Sequence, residues 1–133
     1  MNRCIFEGHL GVDPSFNTTH GGDDVANIFF LTNAPGRPDG QGGWTSPKAD
    51  AVSVAIFKPK AIEAVRELKK GSKVVVVASA GIREWTDKGT GEVRKELQLV
   101  ISGKYPGQGI FASMEAYEAY EAERLRRKAE RAA

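Results

Sequence analysis

Between Arg3 and Ile101 the chain repeatedly alternates apolar with polar residues, the period-two signature of strands that bury one face. Arg3 to Gly11 puts Cys4, Phe6 and Leu10 on one parity, and Asp13-Pro14 ends that strand. Thr18 to Asp24 is polar and contains glycines, so it reads as a loop. Val25 to Thr32 is a second strand with apolar residues on both parities, which predicts cover on both faces. A long loop follows from Ala34 to Lys48, punctuated by Pro35, Pro38, Pro47, Gly36, Gly40, Gly42 and Gly43; loops of this length in compact domains are usually functional. Ala51 to Phe57 is a third strand, with Val52, Val54 and Ile56 on one side and Ala51, Ser53, Ala55 and Phe57 on the other.

Periodicity then changes to that of a helix. Pro59 suits its first turn, Ala61, Ile62, Val65 and Leu68 line one side, Lys69 and Lys70 occupy the last turn, and Gly71 stops it. The β-branched run Val74 to Val77 and the segment Ile82 to Thr86 follow. The turn Asp87-Lys88-Gly89-Thr90-Gly91 leads into a last strand through Leu97, Leu99 and Ile101. Five short strands with one helix between the third and fourth match the OB-fold, an all-β Greek-key barrel used for oligonucleotides and oligosaccharides. We expect that barrel over residues 1–105.

Residues 106–133 differ in kind and form a hinge with a C-terminal helical extension. Tyr105-Pro106-Gly107-Gln108-Gly109 reads as the hinge, Ser113 as an N-cap, and Met114 to Arg131 as the helix. Glu115, Glu118, Glu121 and Glu123 precede Arg124, Arg126, Arg127, Lys128 and Arg131, the order a helix dipole favours, with Glu123 and Arg127 at an i,i+4 spacing. Such a helix either stands solvated on its own charge pairs or docks Met114, Tyr117 and Tyr120 on a neighbouring barrel.

Composition narrows the chemistry. The chain has 133 residues, enough for one domain with a core, and a net charge of only +2, so any charge that recruits a polyanion must be local. Cys4 is the only cysteine, which excludes an intramolecular disulfide and a multi-cysteine metal site. No apolar run reaches membrane-spanning length, and the cytoplasm is the expected compartment. His9 and His20 lack the spacing of a metal or acid–base pair, Asp23-Asp24 reads as a turn, and Gly40-Gln41-Gly42-Gly43 lacks the Lys-Ser/Thr of a phosphate loop. No nucleophile finds a base. We therefore expect no enzyme, no cofactor and no metal.

The informative chemistry lies at the last hairpin. Alternation puts Arg83 and Trp85 on one face and Ile82, Glu84 and Thr86 on the other. An aromatic beside a cation offers a stacking surface to a nucleobase and a counter-charge to its phosphate. Phe57 joins it, because Val52, Val54 and Ile56 already supply the core parity of the third strand. Trp44, between glycines and the rest of the long loop, is a further candidate that has the plain alternative of folding back on the barrel. Among Arg3, Lys48, Lys58, Lys60, Arg83, Lys88, Arg94 and Lys95, the cations Arg3, Lys48, Arg83 and Lys88 border a proposed aromatic or a loop mouth.

These residues resemble the bacterial-type single-stranded-DNA-binding proteins. The resemblance runs through Asn2-Arg3, Gly8, Leu10 and Asp13-Pro14, then Val25-Ala26-Asn27-Ile28, Ile56-Phe57, Lys70-Gly71-Ser72-Lys73-Val74 and Trp85-Thr86-Asp87, over roughly residues 2–103. It implies sequence-tolerant binding and protection of single-stranded DNA in replication, recombination or repair, by a homo-oligomer, dimer or tetramer. By position Phe57 and Trp85 match two of the family's stacking aromatics, whereas Gly36 and Ala51 stand where many members carry tryptophan. Two lost platforms at ~1–3 kcal/mol each leave Trp44 as the candidate replacement. The family's acidic, partner-recruiting tip is replaced by the terminal helix, so recruitment by that route is not expected. The alternatives are an OB-fold interaction component with little DNA affinity, and a nuclease, which would require clustered carboxylates holding a metal.

Overall fold

Parity decides the interior. A computed structural model describes residues 2–33, 38–44 and 49–132. Its strands β1 (Cys4–Leu10), β3 (Asp24–Asn33), β4 (Ala49–Ile56), β6 (Val93–Ile101) and β5 (Lys73–Thr86) hydrogen-bond in that order, and β1 also pairs β5, so the ring closes. Only β4 and β6 run parallel, through Ser53 to Gln98 and Ile56 to Ile101. Leu10, Ala26, Ile28, Phe30, Val52, Val54, Ile56, Val74, Val76, Leu99 and Ile101 all point into the ring and are buried. Helix α1 (Pro59–Arg66) lies between β4 and β5 and closes the barrel with Ala61, Ile62 and Val65. Closure leaves no sheet edge to aggregate there.

Gly8 permits that closure. A Cβ at this position would meet the Leu31 carbonyl oxygen at 2.1 Å and the Phe30 ring at 2.8 Å. A backbone atom cannot swing aside as a side-chain tip can, so β1 crosses β3 this closely only as glycine.

The architecture is the expected five-stranded ring with two short additions. Strand β2 (Ser15–Thr18) pairs β3 across residues 24–27, so part of the stretch read as loop is a hairpin. Its residues are all exposed, which explains the missing alternation. Strand β7 (Gly109–Phe111) pairs β5 at Val75 to Val77 and begins inside the segment read as a hinge. The helix α1 is also shorter than the expected one, and Lys69 and Lys70 lie beyond it. Chain backbone explains the early stop: the Lys70 N–H donates to Asp13 Oδ1 and the Gly71 N–H to the Leu10 carbonyl, both at 2.8 Å. Gly71, at φ +89°, makes the turn into β5.

The first turns of helix α2 (Met114–Ala132) dock on the chain's own barrel through Met114 and Tyr117, while Tyr120, Leu125 and residues 126–132 stay exposed. Ser113 caps it, accepting from the Ala116 N–H at 3.0 Å. Tyr117 is buried against Val75 and Val77 and meets the Phe111 ring edge-on at 5.1 Å, with Tyr120 at 5.2 Å from the same ring. Aromatic pairs in this geometry add to the area they bury. Arg124 Nε donates to Glu121 at 3.0 Å and holds that carboxyl below its usual range; Arg3 reaches the same group at 3.4 Å from the start of β1. Farther along, Glu123 pairs with Arg126 and with Arg127, the latter at 3.0 Å.

Candidate nucleic-acid interface

Turning the inward parity over gives the outer face. On β4 it carries Ala51, Ser53 and Ala55, then Phe57 just past the strand end, whose N–H still donates to the Ile101 carbonyl at 2.8 Å. Ser53 pairs Gln98 of β6, and Gln98 pairs Gly81 of β5, so the outward residues of three strands share one surface. Continuing by twos along β5 reaches Arg83 and Trp85. Phe57 and Trp85 therefore face the same side of the barrel, 45% and 38% exposed.

The β5–β6 arm extends beyond the ring. Trp85 pairs Arg94, Arg83 pairs Glu96, and the Arg83 guanidinium lies 5.5 Å from the Trp85 ring centre. Ion pairs brace the arm: Arg83–Glu96 at 3.7 Å, Arg94–Asp87 at 3.1 Å and, on the opposite face, Lys95–Glu84 at 3.1 Å. All are exposed. Such pairs contribute ~0–1 kcal/mol, so an arriving phosphate can displace a carboxylate at little cost. Lys88 projects from the turn and forms none of the ion pairs found among the described residues. The Phe57 end is different: the hollow beside it is lined by Asp23, Asp24, Pro59, Ile62 and Glu63. Arg83, Lys88, Arg94 and Lys95 on the arm are balanced by Glu84, Asp87, Glu92 and Glu96, so its cations serve a phosphate by exchanging partners rather than by a net positive field.

Other expected residues divide. Arg3 is drawn to Glu121 at the α2 junction, on the covered side of the barrel rather than beside Trp85. Lys58 turns toward β7, donating from Nζ to the Gln108 carbonyl at 2.8 Å; burial, with Lys60 and Arg124 nearby, pushes its pKa down. Lys48 and Gly36 lie outside the described residues. Trp44 is 72% exposed and bridges to Pro38 across a tight loop. Asp39 ties that loop by accepting from the Gln41 and Gly43 N–H groups, at 2.7 and 3.0 Å, which lowers its pKa. The long loop leaves and rejoins the sheet where Asn33 pairs Ala49, toward the arm end.

One residue escaped the sequence reading. Phe29 is 54% exposed on the outer face, opposite Ser53, so the expected cover over both faces of this strand is absent at its centre. The signal was available: Ala26, Ile28 and Phe30 complete the inward parity without it, the same argument that singles out Phe57. Among the described residues no group of three or more His, Cys, Asp or Glu side chains is placed to hold a metal ion. No described helix is long and apolar enough to cross a membrane.

A family model described as the single-strand binding protein family matches residues 1–105. A curated relative, the single-stranded DNA-binding protein of Rhizobium meliloti (strain 1021), is 29% identical over 104 residues, 77% of this chain and 59% of the relative. The chain thus spans less than two thirds of that relative's length. Among solved structures, the Plasmodium falciparum SSB complex with ssDNA is similar at TM-score 0.69 and 21% identity, covering 84% of this chain and 93% of the other. The small single-stranded DNA-binding protein from Streptomyces coelicolor is similar at TM-score 0.57 and 19% identity, covering 74% and 86%. Those two likenesses bear on the fold, and they agree with the closed ring built above. With the family match spanning the whole barrel, this chain belongs to the single-strand binding protein family.

Proposed function

We propose that this chain binds single-stranded DNA with little sequence preference, covering exposed strands during replication, recombination or repair. Bases stack on Trp85 and Phe57, while Arg83 and Lys88 at the arm neutralise phosphates. The observation that carries this reading is the pair of exposed rings on one outer face, with a guanidinium 5.5 Å from the indole. Stacking tolerates any sequence because every base has a π-face. Trp44 joins from the long loop. Residues 1–105 are the binding unit and 106–133 its extension, and the working form is a homo-oligomer, dimer or tetramer, in the cytoplasm. No cofactor is needed, since the task contains no bond-making step.

Fluorescence anisotropy with a labelled oligo-dT and with a duplex of equal length tests this. Saturable binding to the single strand, much weaker on the duplex, is expected. Equal affinity for both would refute the stacking mechanism, since a duplex keeps its bases to itself.

A further inference from the structure

Resting on that reading, we propose that Phe29 is a third stacking platform on β3. It is level along the strands with the middle of the Phe57–Trp85 span but to one side of it, so the bound strand bows over β3 on its way between β4 and β5. Its direction is fixed: the neighbours Ile28 and Phe30 are buried in the barrel, so alternation turns the Phe29 ring outward. Leu31 shares its face two residues along the strand. The row of Phe29 across the sheet runs through Ser53, Gln98 and Gly81, and the space above Gly81 is open.

Register supplies the spacing. Phe57 lies four residues beyond Ser53 along β4, and Trp85 pairs Arg94, four residues before Gln98 along β6. At about 3.3 Å per residue and 4.8 Å between strands, Phe57 and Trp85 are about 28 Å apart along the sheet. On the same measure Phe29 is about 14 Å from Phe57 and about 20 Å from Trp85. The outward residues of β4 and β6 between them, Ala51, Ser53, Ala55, Glu96, Gln98 and Val100, offer no ring. A strand seated on Phe57 and Trp85 alone would carry several bases over sheet without a ring; bowing over β3 to reach Phe29 lengthens the path only from about 28 Å to about 34 Å.

The test compares Phe29→Ala, Phe29→Leu and Phe29→Tyr with the unaltered chain and with Trp85→Ala, using an oligo-dT long enough to span the face. Phe29→Ala and Phe29→Leu should each weaken binding about 5- to 150-fold, the equivalent of ~1–3 kcal/mol, while Phe29→Tyr stays near the starting affinity. Retained affinity in Phe29→Leu would show that bulk rather than a π-face is used, and overturns the proposal. So does a change in oligomeric state on sedimentation with unchanged DNA affinity, because the ring would then serve a second copy. If Trp85→Ala weakens binding and Phe29→Ala does not, the third platform fails and the functional reading stands; if the unaltered chain does not bind, both fail.

Discussion

Strand β5 carries outward-pointing hydrophobic groups at both ends, and they meet different fates. At Val75 and Val77 the chain covers its own barrel with β7 and Tyr117 of α2. At Trp85, and across the sheet at Phe29 and Phe57, the same barrel leaves rings uncovered. A domain that builds a helix to cover one face and leaves three rings bare on another divides its surface between stability and binding. The covered face is held by packing and by the Arg3–Glu121–Arg124 cluster; the bare face has cations held only by exposed, replaceable pairs.

Substitutions should separate the two. Tyr117→Ala removes the ring that α2 buries, and urea unfolding should show a loss of about 3 kcal/mol, in the range of large aromatic truncations. Its affinity for oligo-dT should stay within about twofold, well under the 1.4 kcal/mol of a tenfold change. A large loss of binding would mean that α2 contributes to the interface. Trp85→Ala should do the reverse, weakening binding by ~1–3 kcal/mol while stability moves by no more than about 0.5 kcal/mol, as surface changes do.

How much of this was legible beforehand follows the same division. The inward parity of Val52, Val54 and Ile56 and the outward pairing of Arg83 with Trp85 came straight from alternation, because a barrel strand has two unlike faces. Strand β2 did not, since Ser15–Thr18 carry no buried residue and exist as a strand only by pairing β3. The end of α1 was misplaced because Asp13 and Leu10, distant in sequence, capture the backbone at Lys70 and Gly71. The pairing of Arg3 was hidden for the same reason: its partner Glu121 is 118 positions away, and no local pattern announces it.

Acid gives the smallest effect, and on α2 it acts through two carboxyls. Arg124 holds Glu121 below its ordinary value of 4.5, and Arg126 with Arg127 holds Glu123 down to about 2. Carboxyls lowered in the folded state stabilise it fully above their unfolded pKa and stop doing so as pH falls through the folded one. The helical circular dichroism of α2 should therefore decline from about pH 4.5 towards 2, while Trp85 emission holds steady. Parallel changes in both signals would mean that the two faces are coupled.

The central claim rests on the indole of Trp85, and the chain has only two tryptophans. In the Trp44→Phe variant, oligo-dT titrated at several salt concentrations should quench the remaining emission saturably. Log affinity should fall with log salt at about −0.7 per neutralised phosphate, a shallow slope for the two or so cations at the arm. Saturable binding that leaves the Trp85 emission unchanged would contradict the account.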